Sequence, residues 1–208
     1  VTGPPQTYHQ RVSEEKRAAI IAAAVSLFLE RGYAETSLAR IAEVARVSTA
    51  TLFKQFPTKA ELFAAMVVQY WQLSDAGLHA PAAGDPAAGL QMLGERYVEL
   101  MSREEMVALF RIVIAEAPRF PDLAEAQFTL GKAPFFNSVK SYLGDEHAAG
   151  TLDCPDPELA ATQFLGMISN FAFWPRLLLV AWHPNSEELH RTVAEAARAI
   201  IARYGLRT

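Results

Sequence analysis

A single cysteine, Cys154, in 208 residues leaves no intrachain disulfide framework and no cysteine-based zinc site. That usage suits a reducing cytoplasm. No apolar run reaches the roughly 18 residues that would read as a membrane-spanning helix. The first residues, VTGPPQTYHQR, lack the apolar centre of a secretory leader and read as a loose tail through residue 12. No stretch alternates with period two for long enough to suggest a strand, and no internal repeat is visible. The five histidines, at 9, 79, 147, 183 and 190, are scattered. None forms His-Glu-x-x-His, and Gly-x-Ser-x-Gly and the P-loop are missing. His147 beside Asp145 and Glu146 reads as a solvated loop, and Cys154 has no evident histidine partner. No enzyme, cofactor or metal is expected from this pattern.

What is present is apolar residue at helical spacing. The 51% hydrophobic content supports a sizeable core. The net charge of −4 is unevenly spread: residues 1–60 hold eight Lys/Arg against five Asp/Glu, a net of +3, so the remainder carries −7. A modestly basic head on an acidic body fits a protein that touches nucleic acid with one end.

The chain is organised around Thr36–Glu61, TSLARIAEVARVSTATLFKQFPTKAE. Leu38, Ile41, Ala42 and Ala45 fall at i, i+3, i+4, i+7, the stripe of one short helix. Arg46-Val47-Ser48 is a turn, and Ser48 or Thr49 can cap a second short helix. Val47, Leu52, Phe56 and, in part, Phe53 would face inward. Thr49, Ala50, Thr51, Lys54 and Gln55 would face outward, small, polar or basic. Pro57 ends that helix, and Thr58 with Glu61 forms a capping box for the next. This is the layout of a helix-turn-helix, in which the second helix enters the major groove.

A long helix before this unit (about Ser13–Arg31) and Phe-Pro-Thr-Lys-x-Glu-Leu after it sharpen the reading. Over residues 13–67 the sequence resembles the TetR family of transcriptional regulators. The resemblance rests on Ala24, Phe28 to Gly32-Tyr33, Thr36-Ser37, Ile41-Ala42, Val47-Ser48, Thr51-Leu52-Phe53, Phe56-Pro57, Lys59 and Leu62. ALFRIVIAEAPRFPDLAEA further resembles the AefR-like subgroup. Two positions depart from the family. Arg46 stands where many members have the more permissive Gly, so the turn is expected to tilt or Arg46 to reach a phosphate. Phe53 stands where many have Tyr and is expected to pack. On the DNA side, Thr36, Ser37, Arg46 and Lys59 are expected to hold phosphates. Thr49, Ala50, Thr51, Lys54 and Gln55 face the groove, with Gln55 suited to adenine and Lys54 to guanine or a phosphate, and Ser48 and Phe53 complete the candidate DNA-binding set.

Beyond the head, helices are expected at about 59–77, 86–101, 104–117, 122–143 (interrupted near 131–134), 157 to past 173 (broken at Pro175) and 186–204. The helix over 104–117 is apolar nearly all round and should be buried on most sides. Asp85-Pro86 and Asp156-Pro157 read as caps, Ser102 to Glu105 as a capping box, and 79–89 and 144–156 as loops. Two faces read as a dimer interface: Ala161, Leu165, Ser169 and Ala172, then Leu189, Val193, Ala196, Ala197, Ile200 and Tyr204. The resemblance implies that the last two helices pair with their two-fold mates in a four-helix bundle. It also implies a site for an inducer in the body, for which Met66, Tyr70, Met92, Phe110, Ile114, Phe128, Phe136, Phe164, Met167 and Phe171 are candidates, although most such residues are ordinary core.

The expectation is therefore an all-α protein of about nine helices. A tail and helix-turn-helix head (1–57) precede a helical ligand-binding and dimerisation body (58–208). It would act as a cytoplasmic, homodimeric, ligand-responsive regulator, a repressor released from a palindromic operator by an apolar or aromatic molecule. A helical carrier of apolar ligands without a DNA role is the alternative.

Overall fold

The computed structural model describes residues 8–72, 81–179 and 181–206. Among these the chain is helical, with nine helices of seven residues or more and no strand. In order they are α1 (Tyr8–Arg31), α2 (Leu38–Val44), α3 (Thr49–Gln55), α4 (Lys59–Trp71), α5 (Pro86–Met101), α6 (Glu104–Glu116), the short α7 (Pro121–Ala126), a π-helical stretch (Gln127–Lys132), α8 (Ala133–Ala148), α9 (Pro157–Ala172), the short α10 (Trp174–Leu178) and α11 (Ser186–Tyr204). Among the described residues no helix is long and apolar enough to cross a membrane.

Local chemistry accounts for most boundaries. Asp85 and Asp156 accept from the Ala88 and Leu159 amides, with Pro86 and Pro157 at the first helical turn. Asn185 and Glu188 form a reciprocal capping box at α11. Ser102, by contrast, closes α5 as its C-cap. Helix α1 begins at Tyr8 and so takes in part of the expected tail. The extension of α4 towards Gly77 and the loop at His79 lie outside the described residues. The helix expected over 122–143 is instead α7, the π-helical stretch and α8, ending at Ala148. The widened turn precedes Pro134, which has no N–H for the carbonyl four residues back and whose ring crowds it. Pro175 lies in the first turn of α10, after α9 has ended at Ala172.

The chain divides into two compact units: residues up to Gln69 with Ala108–Gln127, and Tyr70–Val107 with Phe128 onward. The line drawn at residue 57 is a functional one, and packing divides elsewhere: most of α4 belongs with the head. In the first unit the inward stripe of α1 (Ile20, Ala24, Leu27, Phe28) is buried, as are Ile41, Leu52, Phe56, Leu62 and Phe63. In the second, Leu90, Leu93, Val139, Tyr142, Phe164, Ile168, Val193 and Ile200 share one core. A Cβ on Gly94 would stand 2.4 Å from the Val193 side chain, so α5 and α11 approach closely only with glycine there. Helix α6 is less enclosed than its composition suggests: Leu109 and Ile112 are buried, but Ile114 is 57% exposed.

The dimer stripes need correction. Ala161, Leu165, Ala172, Val193, Ala196, Ala197, Ile200 and Tyr204 are all buried inside the single chain, with Leu189 packed against them. Their small side chains bring α9, α11 and α5 of one subunit together, leaving at the surface little of the stripes beyond half-buried Leu189 and the edge of Ala196 in a groove.

Candidate nucleic-acid interface

The helix-turn-helix is built by caps at both of its helices. Ser37 Oγ accepts from the Arg40 amide at 3.2 Å to start α2. Ser48 Oγ accepts from the Thr51 amide at 3.1 Å to start α3. Between them, the Arg46 amide donates to the Glu43 carbonyl at 3.1 Å and the Val47 amide to the Ala42 carbonyl at 3.0 Å. That pair of bonds is a Schellman turn, with Arg46 in the left-handed position usually held by glycine. Arg46 has φ of +56°, alone among the described non-glycine residues in that region. The turn is therefore made in full, with Arg46 strained and its side chain exposed.

Leu52 and Phe56 anchor α3 to the core, and the Arg17 guanidinium lies 4.5 Å from the centre of the Phe56 ring. Thr49, Ala50, Phe53 and Lys54 stand exposed. They sit at i, i+1, i+4, i+5, one continuous face. Phe53 is a correction: 47% exposed, it lies on the flank of the Leu52–Phe56 ridge and is available to a partner. Thr51 Oγ1 is 2.8 Å from Ser48 Oγ, within the cap. Gln55 Nε2 donates to the Ser13 carbonyl at 3.4 Å, so pairing with adenine would require it to leave α1.

Thr36 and Lys59 are corrected as phosphate ligands. Thr36 is buried, and its hydroxyl donates to the Gly32 carbonyl at 2.9 Å, with the Leu27 carbonyl at 3.3 Å. Lys59 Nζ donates to the carbonyls of Tyr33 at 2.5 Å, Ala34 at 3.2 Å and Thr36 at 2.9 Å, and lies 4.4 Å from the centre of the Tyr33 ring. All three ammonium donors are engaged, so the lysine closes the α1–α2 turn. Burial pulls its pKa down, opposed by the charges of Glu116 and Glu35.

Sequence reading missed Glu116. It is buried at the end of α6, and its Oε1 accepts from the Tyr33 amide at 2.8 Å. Gly32, at φ +81°, makes room: a Cβ there would fall 2.8 Å from that oxygen. The Tyr33 ring packs against Phe28 and Phe120, with centroids 5.0 Å away in each case. Burial, with the charge of Asp122, pushes the Tyr33 pKa up.

The ligand candidates separate. Met66, Phe110 and Ile114 belong to the first unit and the others to the second. Phe164 is core, and Phe136 packs against that core. Tyr70 is half-buried, with its pKa pushed up to about 12 by burial and then by Glu105. Phe171 meets Trp182 edge-on at 5.5 Å. Met92 and Phe128 are exposed by 41% and 57%. Met167 opens instead onto a surface groove of about 410 Å³ shared with Arg191, Thr192, Glu195, Ala196 and Ala199 of α11. His147 lies in the last turn of α8 rather than in a solvated loop, with Nδ1 3.2 Å from both the Cys154 amide and the Leu152 carbonyl, and the neighbouring Glu146 is buried.

Comparisons with known proteins agree with this geometry. Residues 20–66 match the family described as bacterial regulatory proteins, tetR family. Residues 88–206 match the AefR-like transcriptional repressor, C-terminal domain. A Pseudomonas putida protein described as a probable HTH-type transcriptional regulator, ArpR, is 38% identical over 82 residues, 39% of this chain and 38% of that protein. The chain thus spans about four-tenths of that relative's length. A TetR-family regulator from Mesorhizobium loti is 29% identical, with 97% of this chain and 100% of that one covered and a TM-score of 0.79. The Flavonoid-responsive Regulator FrrA is 28% identical, with 94% and 100% covered and a TM-score of 0.72. With one family model on the head and another over more than half its length, the chain belongs to the TetR family of transcriptional regulators, with an AefR-like body.

Proposed function

We propose that this protein is a cytoplasmic repressor that holds a palindromic operator as a homodimer and leaves it on binding an aromatic small molecule. The observation that carries the DNA reading is the exposed face of α3, where Thr49, Ala50, Phe53 and Lys54 stand clear of the core. Lys54 addresses guanine or a phosphate, and the Phe53 ring suits the methyl group of thymine. Ser37 and Arg46 flank that face as phosphate contacts, in place of Thr36 and Lys59.

Two-fold pairing lets one protein read two half-sites at once. With the small-residue stripes buried, the pairing surface is the outer side of α9 and α11. Leu159 (49% exposed) and Met167 (39%) sit on α9, and Met167 lines the groove along α11. The description of the matched C-terminal domain as a repressor supports repression as the default. Similarity to a regulator described as flavonoid-responsive supports an aromatic, flavonoid-like ligand. Such a ligand acts by favouring the form whose recognition helices do not match the groove spacing, with a coupling of about 1–3 kcal/mol.

Selection against random duplexes at two salt concentrations tests this. One palindromic site, with affinity falling steeply as salt rises, is the expected result. Failure to enrich any sequence, from protein refolded to strip bound ligand, would refute it.

A further inference from the structure

Five polar or charged residues of the described chain are buried: Thr36, Glu116, Gln127, Glu146 and Ser169. Four are satisfied by protein. Thr36 donates to a carbonyl and Glu116 accepts an amide. Glu146 is held by Tyr142, Thr151 and the Gly84 amide. Ser169 donates to the Leu165 carbonyl and meets the Tyr97 hydroxyl at 2.8 Å. Gln127 is the exception: it is 5% exposed, and neither its amide oxygen nor its amide nitrogen has a partner.

A buried amide left empty on both sides weakens the fold, and an apolar side chain of the same shape would be neutral or better. Native interiors keep such groups for a water, a ligand or a function. A second observation coincides with the first. Gln127 opens the π-helical stretch Gln127–Lys132, and π-turns of this kind recur at functional sites.

We propose that Gln127 is the polar anchor of the small-molecule site. This rests on the ligand-responsive reading above and deepens it. A neutral carboxamide offers one acceptor oxygen and a two-proton donor side by side. It fits an uncharged ligand that carries a donor and an acceptor together, an aromatic with a phenol hydroxyl and a ketone carbonyl. It discriminates against a plain hydrocarbon or an unsubstituted aromatic, because those leave the amide empty.

The test uses the full chain, wild type and Gln127→Met, which keeps the length of the side chain and removes both polar groups. The probes are apigenin, a hydroxylated flavone, and unsubstituted flavone. Affinities come from tryptophan fluorescence titration, and unfolding of the ligand-free protein is followed alongside. Gln127→Met is expected to unfold no earlier than wild type, to lose about tenfold or more in affinity for apigenin, and to hold unsubstituted flavone as well as wild type does. Gln127→Glu, which retains acceptor oxygens and loses the donor, should fall below wild type for apigenin. An unchanged ratio of the two affinities would make Gln127 the seat of an ordered water only, and an earlier unfolding of Gln127→Met would mean that its amide is already satisfied. No binding of either probe to wild type would overturn the ligand class. Release of the selected duplex separates the two readings. If apigenin releases DNA equally from wild type and Gln127→Met, the regulator stands and the anchor falls. If binding depends on Gln127 but the duplex stays bound, the release mechanism falls and the anchor stands.

Discussion

Replacing Lys59 by alanine separates a structural clamp from a phosphate contact. The ammonium group donates to three backbone carbonyls of the α1–α2 turn and rests on the Tyr33 ring. Lys59 is only partly buried, so each bond is worth about 1 kcal/mol rather than the larger figure for a charge in the interior. The ring contact adds about 0.5 kcal/mol. Freeing the side chain returns about 1.5–2 kcal/mol of rotamer entropy. The net loss is about 2 kcal/mol, which for a chain of this size lowers Tm by roughly 4–8 °C. Differential scanning fluorimetry measures that fall, and duplex binding at several salt concentrations measures the slope of affinity against salt. The clamp predicts a lower Tm with an unchanged slope. A phosphate contact predicts the reverse, with Tm held and the slope shallower by about 0.9 per subunit. The reverse result would refute the clamp.

Three further outcomes follow from the same contacts. Arg46→Gly relieves the left-handed strain, which costs about 1–2 kcal/mol, but frees the unfolded chain by about 0.5–1 kcal/mol. A net gain near 0.5–1 kcal/mol in urea unfolding is expected, together with weaker duplex binding and a shallower salt slope. Glu116→Ala orphans the buried Tyr33 amide at a cost of about 1–3 kcal/mol, whereas Glu116→Gln keeps an acceptor and most of the stability, as chemical denaturation will show. Met167→Glu places a charge on the outer face of α9 without touching the core, so light scattering should show monomers and duplex affinity should collapse while Tm stays near that of the unpaired subunit.

The recognition unit was legible because its punctuation is chemical. Serine caps, Pro57, Gly32 and the stripe through Ile41 and Ala42 each have one physical meaning at their position. The dimer stripes were legible only by half. A helical period shows that Ala161, Leu165, Val193 and Ile200 are covered, but not whether their own chain or a second one covers them. Charge near a helix start misled for Lys59, because the carbonyls that capture it come from residues 33–36 and meet it only when the turn folds back. Phe53 misled in the opposite sense: an aromatic one step from Leu52 reads as core, yet the helix is so short that its flank faces outward. Gln127 carried no mark at all, since one glutamine in a helical stretch looks like surface until its burial is seen.

The central claim is that the exposed face of α3 reads bases in the major groove. The most direct measurement takes the selected operator, varies each base of one half-site in turn, and compares wild type with Phe53→Ala and Lys54→Ala. Thymines are also replaced by uracil, which removes only the methyl group. Phe53→Ala is expected to lose its preference at one thymine of each half-site and no longer to distinguish it from uracil, and Lys54→Ala to relax a guanine or flatten the salt slope. Base preferences and salt slope that survive both substitutions unchanged would contradict it.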